Sequence, residues 1–286
     1  MIDIIIPTYN RSALLDLTLS SLLNQTINLT SINVVVVDDG SSDNTIEVVK
    51  SYSDKLNVKY FYQADRGYRV ASARNMGLKN CNSDICVFID AGIVLESKCI
   101  SKHLEFHNNF DNPISVIGYI YGFDDQDPDL RELVKITNKI KNTDSLITYF
   151  DAKRIYLDPR EREYSKYNYQ IDQLPAPWVY FWSGHLSINR KYMESEVYFD
   201  TVFEPRYGFE DIDLGYRLHH KKMSIYLLKE AKAFHYPHGK MGNYCEGNEM
   251  NSHIFYLKHK TELIRLFNNN GGTFGFNELL LKMNIS

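Results

Sequence analysis

An α/β fold, with a mixed but mainly parallel central sheet flanked by helices, is the class this sequence predicts, and two observations carry it. Residues 2–6 and 34–37 are short apolar runs, the second purely valine, and each ends in a polar loop, as buried parallel strands do. Between them, residues 11–24 carry Leu14, Leu15, Leu17, Leu19, Leu22 and Leu23 at helix-like intervals, with Ser12 as the expected N-cap. Strand, helix and strand in that order make a βαβ unit, whose crossover is right-handed. At 286 residues the chain suits one large domain or two small ones.

Ligands of such sheets bind beyond the carboxyl ends of the strands. That rule places Pro7, Thr8, Tyr9 and Asn10 beside Asp38, Asp39, Gly40 and Ser41 at one rim. Carboxylates there can accept from a base N–H or ribose hydroxyls. Neither a P-loop nor a G-x-G-x-x-G fingerprint follows the first strand, and taken alone the Asp-Asp-Gly-Ser segment is equally a turn signal. A further unit runs through 58–62, a helix across 66–77 and a strand ending at Asp90. Its Arg69 and Arg74 are the residue type a diphosphate requires, against the alternative of a solvated helix face.

Composition narrows the function classes. Hydrophobic residues at 44% and charged residues at 24% are those of a soluble globular protein. A net charge of -4 argues against binding nucleic acid through broad phosphate neutralisation. The four cysteines, Cys81, Cys86, Cys99 and Cys245, show no C-x-x-C spacing, so neither zinc nor a disulfide framework is expected. No 18-residue apolar run and no signal-peptide pattern occurs, so the expectation is a cytoplasmic protein, at most peripheral at the inner face of a membrane.

Residues 122–177 differ in composition, with an acidic run at 124–129, a basic stretch at 135–141 and one helix expected near 130–140. We read this segment as an insertion that forms or covers a ligand cleft. Residues 178–188 read as an aromatic strand, a Ser183-Gly184 turn and a second strand. Trp182 is either a ring that stacks on a ligand or a core residue, and Gly184 and His185 fall at the same turn. Residues 206–218 place Glu210, Asp211 and Asp213 in the first turn of an amphipathic helix, where carboxylates are favoured, with Asp213 four residues before Arg217. A strand follows at 225–228, and 231–235 leads into Tyr236-Pro237-His238. The stretch 251–267 reads as an amphipathic helix that packs Phe255, Leu263, Leu266 and Phe267 on its own domain and leaves Lys258, Lys260 and Arg265 outside.

Five segments in order carry a more specific signal: Ile5-Ile6-Pro7-Thr8-Tyr9-Asn10; Val37-Asp38-Asp39-Gly40-Ser41; Gly67-Tyr68-Arg69 leading to Asn75-Met76-Gly77; Phe88-Ile89-Asp90; and Gly208-Phe209-Glu210-Asp211-Ile212-Asp213-Leu214. Together they resemble the family-2 glycosyltransferases of the GT-A fold, closest to the branch of chondroitin-type polymerases and β-1,4-galactosyltransferases. The resemblance spans roughly 1–110 and 180–240. It implies one GT-A domain over 1–240, with a nucleotide-sugar-binding half (1–110), an acceptor half (111–240) and a C-terminal helical extension (241–286).

The resemblance also implies inverting transfer from a nucleotide diphosphate sugar, usually a UDP-sugar, to a hydroxyl of a glycan or glycolipid. Thr8, Asp39 and Arg69 would surround the donor. Asp211 would be the general base, while Glu210, with Trp182, Gly184 and His185, would contact sugar. Asp90 would open the family's D-x-D metal motif, but the chain reads Asp90-Ala91-Gly92 and lacks the second acid. Mn²⁺ or Mg²⁺ would then depend on Asp90 with His235 or His238, and imidazole suits Mn²⁺ better. The rival readings are a silent sugar-nucleotide-binding scaffold, motivated by the missing acid, and a nucleotidyltransferase.

Overall fold

The computed structural model describes residues 1–122, 130–190, 198–239 and 244–285; the acidic run at 124–129 and the side chain of Cys245 lie outside the described residues. The elements run β1 (Ile2–Thr8), α1 (Ser12–Leu23), β2 (Ile32–Asp38), α2 (Thr45–Lys50), β3 (Asn57–Tyr62), α3 (Val70–Asn80) and β4 (Ile85–Ile89). Next come β5 (Ile93–Leu95), α4 (Cys99–His107), β6 (Ile114–Tyr121), α5 (Arg131–Lys139), α6 (Thr143–Lys153) and α7 (Glu161–Lys166). The chain closes with β7 (His185–Asn189), α8 (Glu210–His220), β8 (Ser224–His235), α9 (Tyr244–His259), α10 (Glu262–Asn269) and α11 (Phe276–Lys282).

One eight-stranded sheet has the order β3-β2-β1-β4-β7-β6-β8-β5. The β3-β2-β1-β4 half is parallel, as the apolar runs predict, whereas β7 is antiparallel to both its neighbours and β5 is antiparallel to β8. Alternation divides the first strands between two cores. Ile4, Ile6, Val34 and Val36 pack with Leu15, Leu19 and Leu22 of α1, and Ile5, Val35 and Val37 pack with Ala73 and Leu78 of α3. Burial on both faces is why these strands read as continuous apolar runs. The β1–β2 register sets Thr8 opposite Asp38, so both loops open at one rim. β1 runs through Pro7 to Thr8, past the expected stop. The β1–β4 ladder has ended with Ile5 opposite Phe88, so the missing N–H of Pro7 breaks nothing there.

Three expectations are corrected. Residues 178–181 form no strand: Pro177–Tyr180 is a 3₁₀ turn, buried throughout, with Trp178 packed against Tyr216, Phe255, Phe267 and Phe276. Among its described residues the 122–177 segment carries more regular structure than the one helix expected. α6 buries Leu146, Ile147 and Phe150, with Asn142 as its N-cap, and α7 buries Tyr164. Finally, the single helix expected over 251–267 is two, broken at Lys260 (φ 50°) and restarted at Thr261, whose side chain accepts from the Ile264 N–H. α1 also begins at Ser12 itself, with Arg11 in the N-cap position. The 251–267 residues Phe255 and Phe267 are buried as expected, in the same core as Trp178. Among the described residues no helix is long and apolar enough to cross a membrane.

Candidate active site

The central side chain at the rim is Arg74, which sequence reasoning took as a diphosphate ligand. It lies on α3, buried, and its two terminal nitrogens diverge: Nη1 donates to Glu210 Oε1 at 2.9 Å and Nη2 to Asp90 Oδ1 at 2.9 Å. One guanidinium therefore ties the end of β4 to the start of α8. Each of these bonds is charge-assisted, and because Glu210 is itself buried, neither charge is left alone in the interior.

α8 begins from a constrained loop. Gly208 (φ 88°) and Phe209 (φ 75°) are both left-handed, and the second is unfavourable for a side chain by roughly 1–3 kcal/mol. The loop is held by buried Asn251 of α9, whose Nδ2 lies 2.7 Å from Gly208 O, 3.1 Å from Phe203 O and 3.3 Å from Tyr207 O. A second latch joins Glu204 to α3, where its carboxylate accepts from Ser72 N at 2.6 Å and Ser72 Oγ at 2.8 Å. The turn so fixed presents Glu210 and Asp211 to the cleft and Asp213 to the opposite side.

The three carboxylates differ in surroundings. Asp213 is fully buried and accepts from Arg217 Nε at 2.7 Å, from Lys258 Nζ at 2.7 Å and 2.8 Å, and from His259 Nε2 at 2.7 Å. Burial opposes its ionisation, but His259, Arg217 and Lys258 together hold it below the usual aspartate range. Glu210 is pushed up to about 7, by burial first and then by the charge of Asp211, with Arg74 opposing. Asp211 is half-buried and makes no direct ion pair among the described residues; it accepts from Ile212 N at 2.7 Å and from Ser183 N at 3.3 Å. Burial raises it too, against Arg74 and those two N–H groups. Of the three, Asp211 is the carboxylate with accessible surface, a raised basicity and no cation fixed to it.

On the nucleotide side, Asp39 Oδ1 accepts from Gln63 Nε2 at 2.6 Å, Asp39 Oδ2 accepts from Arg69 N at 2.8 Å, and Arg69 Nη2 lies 3.4 Å from Asp39. Arg69 also donates to Ala64 O. Tyr9 reaches across the rim to Asp65 (2.8 Å), and Asn10 Oδ1 accepts from Ser42 N at 2.8 Å. Thr8 is buried, and its hydroxyl has no partner among the described residues. Asp38 does not fit a direct donor contact. Its Oδ1 accepts from Gly40 N and Ser41 N, its Oδ2 from Tyr60 Oη at 2.6 Å, and the residue is buried, so it holds the turn.

The D-x-D position explains its own departure. Gly92 has φ 106°, which side chains avoid, its N–H donates to Thr18 Oγ1 at 2.9 Å, and its carbonyl accepts from Tyr236 N at 2.9 Å. No carboxylate is accommodated there without strain. Asp90 remains partly exposed; its Oδ2 faces Gly184, where an added Cβ would lie 3.3 Å away. β5–β8 pairing sets His235 opposite Ile93, close enough that the charge of Asp90 acts on His235 and on His238. Burial lowers both imidazoles, His235 to about 3, so both are neutral as metal ligands must be. His238 is otherwise engaged: Arg11 Nη1 donates to its Nε2 (3.2 Å), and its Nδ1–H donates to Gly239 O (3.0 Å). Asp90, His235 and His238 thus lie near one another at the rim, and both histidines already make contacts within the chain.

His185 is corrected outright. It is fully buried on β7, with its ring against Gly118, and belongs to a ladder facing α4. Its Nε2 lies 3.3 Å from Cys99 Sγ and 3.0 Å from His103 Nε2; His103 and His107 both reach Ser187 Oγ at 2.8 Å. Burial keeps these imidazoles neutral. Alternation turns His185 inward, one residue after Gly184. Trp182, by contrast, is half-buried, with Arg160 4.7 Å from its ring centroid. Sequence reasoning missed Gln63, Glu204, Arg160 and the exposed pair Tyr68–Tyr207 (centroids 5.6 Å apart). Arg160, buried, donates twice to Asp158 and once to Tyr180 O.

The fold matches solved structures of Staphylococcus aureus TarS. The 1–349 fragment in complex with UDP-GlcNAc superposes with a TM-score of 0.63 at 16% identity, covering 93% of this chain and 70% of that one. Among curated proteins, validoxylamine A glucosyltransferase of Streptomyces hygroscopicus subsp. jinggangensis is 34% identical over 96% of this chain, and chondroitin synthase of Pasteurella multocida is 32% identical over 84%. The chain spans 65% of the first relative's length and 25% of the second's. The family described as Glycosyl transferase family 2 matches residues 3–197. With that match over more than half its length, and with a sheet and rim of this form, the chain belongs to glycosyl transferase family 2.

Proposed function

We propose that this chain transfers a sugar from a nucleotide diphosphate sugar, a UDP-sugar in the first instance, to a hydroxyl of a glycan or glycoconjugate with inversion, Asp211 acting as general base. The observation that carries this reading is the contrast at α8: Asp211 is half-exposed at the cleft and held by backbone N–H groups, whereas its neighbours are clamped by cations. The UDP-GlcNAc complex of TarS, a fold neighbour, supports the choice of donor class.

In this mechanism Asp211 removes the acceptor proton as the oxygen attacks the anomeric carbon, and the diphosphate departs on the opposite face. The N–H groups of Ser183 and Ile212 fix the carboxylate, so its orientation needs no rearrangement at the moment of attack. Arg74 keeps Glu210 and Asp90 in place. Glu210, neutralised by Arg74, is available to sugar hydroxyls through its second oxygen. Asp39, Gln63 and Arg69 form the nucleoside wall. A divalent cation held by Asp90 with His235 or His238 would supply positive charge at the leaving diphosphate. A fold neighbour, the mannosyltransferase of Pyrobaculum calidifontis, is described with GDP-Man and Mn²⁺.

The test is turnover of UDP-, GDP- and dTDP-sugars over a panel of glycoside acceptors, with Mn²⁺, with Mg²⁺ and with chelator, and with product anomers assigned by NMR. The reading expects a UDP-sugar to react fastest, the anomeric configuration to invert and chelator to slow transfer. Retention of configuration would contradict the single-base mechanism, and no turnover of any donor would favour a silent scaffold.

A further inference from the structure

Phe274 is the most exposed phenylalanine among the described residues, at 52%. It sits in the loop between α10 and α11, outside the family-matched span of 3–197. The loop is tied down although the ring is not. Thr273 Oγ1 donates to Val179 O at 3.1 Å, Gly275 N to Glu163 Oε2 at 3.3 Å, and Asn270 Nδ2 to Phe274 O at 3.1 Å. The ring meets Trp182 edge-to-face, with centroids 6.4 Å apart and planes at 89°. Trp182 directly precedes Ser183, whose N–H donates to Asp211. Its ring in turn lies against the buried Arg160 guanidinium, and the charge of Asp211 acts on that same guanidinium.

We infer that Trp182 and Phe274 form an aromatic subsite for a pyranose ring of the acceptor, and that the C-terminal segment thereby takes part in choosing the acceptor. The inference rests on the transferase reading. A pyranose presents an apolar C–H face and a rim of hydroxyls. An L-shaped pair of aromatic rings beside a carboxylate matches that chemistry, because the rings bury the C–H face while polar groups orient the hydroxyl. The occupant is argued from position: the rings stand next to the segment that fixes Asp211, and an exposed phenyl on an anchored loop is pre-organised at little conformational entropy. Trp182 was weighed from sequence as a stacking ring; Phe274, 92 residues later, had no such signal.

The experiment compares wild type with Phe274→Ala, Phe274→Tyr and Asp211→Asn. Its readouts are acceptor KM, donor KM and equilibrium binding of the same pyranosides followed by tryptophan fluorescence with UDP present. Phe274→Ala is expected to raise acceptor KM about tenfold and weaken pyranoside binding equally, with donor KM within about twofold of wild type, and Phe274→Tyr to restore both. Unchanged acceptor binding in Phe274→Ala overturns the inference. So does a loss expressed equally in donor KM, or one that appears as weaker dimerisation or weaker binding to anionic vesicles. Because binding needs no turnover, an active Asp211→Asn enzyme would overturn the base assignment without touching the subsite.

Discussion

Asp211 and Asp213 lie two residues apart on α8, so they point about 200° apart around the helix, and their surroundings are opposite. Asp213 faces the C-terminal helices and is met by Arg217, Lys258 and His259; Asp211 faces the cleft and is met by two backbone N–H groups. The first is depressed and inert, the second raised and accessible. Identical side chains at the N-terminus of one helix thus stand in opposite electrostatic surroundings, and what separates them is which cations the rest of the fold brings within reach.

The largest effect expected short of the base itself is on stability. Asp213→Asn leaves Arg217 and His259 without their counter-charge and Lys258 with Asp200 alone, a loss of about 3 kcal/mol for a broken buried network, read as a fall in Tm of about 10 °C. An unchanged Tm would mean that those cations are satisfied by solvent and that the contrast with Asp211 is not electrostatic. The sign with pH follows: the folded pKa of Asp213 lies below 3.8, so its contribution is present above that value and is lost as pH falls through the folded pKa.

A smaller effect is expected from Asn251→Ala, which removes the amide from three carbonyls of the loop that aims α8. We expect a loss of about 2 kcal/mol, with kcat reduced more than donor affinity; equal losses in both would make Asn251 a general stabiliser only. The smallest effect is expected from Glu210→Gln. Glu210 titrates near 7, above its usual 4.5, so it favours the fold below pH 4.5 and this contribution is lost as pH rises through 7. The variant should flatten that decline in a Tm-versus-pH series. It should leave the acid limb of kcat/KM nearly in place, because burial and Asp90, not Glu210, are what raise Asp211. Loss of the limb together with the activity would point to Glu210 as the titrating base.

The rim at the ends of β1, β2 and β4 was legible in sequence because strand ends position its residues locally: Thr8 and Asp38 end neighbouring strands in register, and Asp90 follows β4. Even there, Asp38 and Asp39 could not be told apart, since the distinction rests on Tyr60, Gln63 and Arg69 arriving from the next unit. The pairing of Asp213 with Arg217 was legible as an i, i+4 contact, while Lys258 and His259, more than 40 residues away, were not. His185 was misplaced because two adjacent positions at a strand start look alike until the sheet decides which faces inward. The short apolar segments of α6 and α7 carried too few turns to show a helical period.

The central claim is tested most directly by Asp211→Asn, assayed side by side for sugar transfer and for equilibrium binding of the UDP-sugar. Asparagine keeps the shape of the side chain and removes its basicity. The account predicts transfer reduced by roughly 10²–10⁴-fold, with donor affinity and Tm close to wild type. Transfer at the wild-type rate with the same donor affinity would contradict it and move the base to another residue of the cleft.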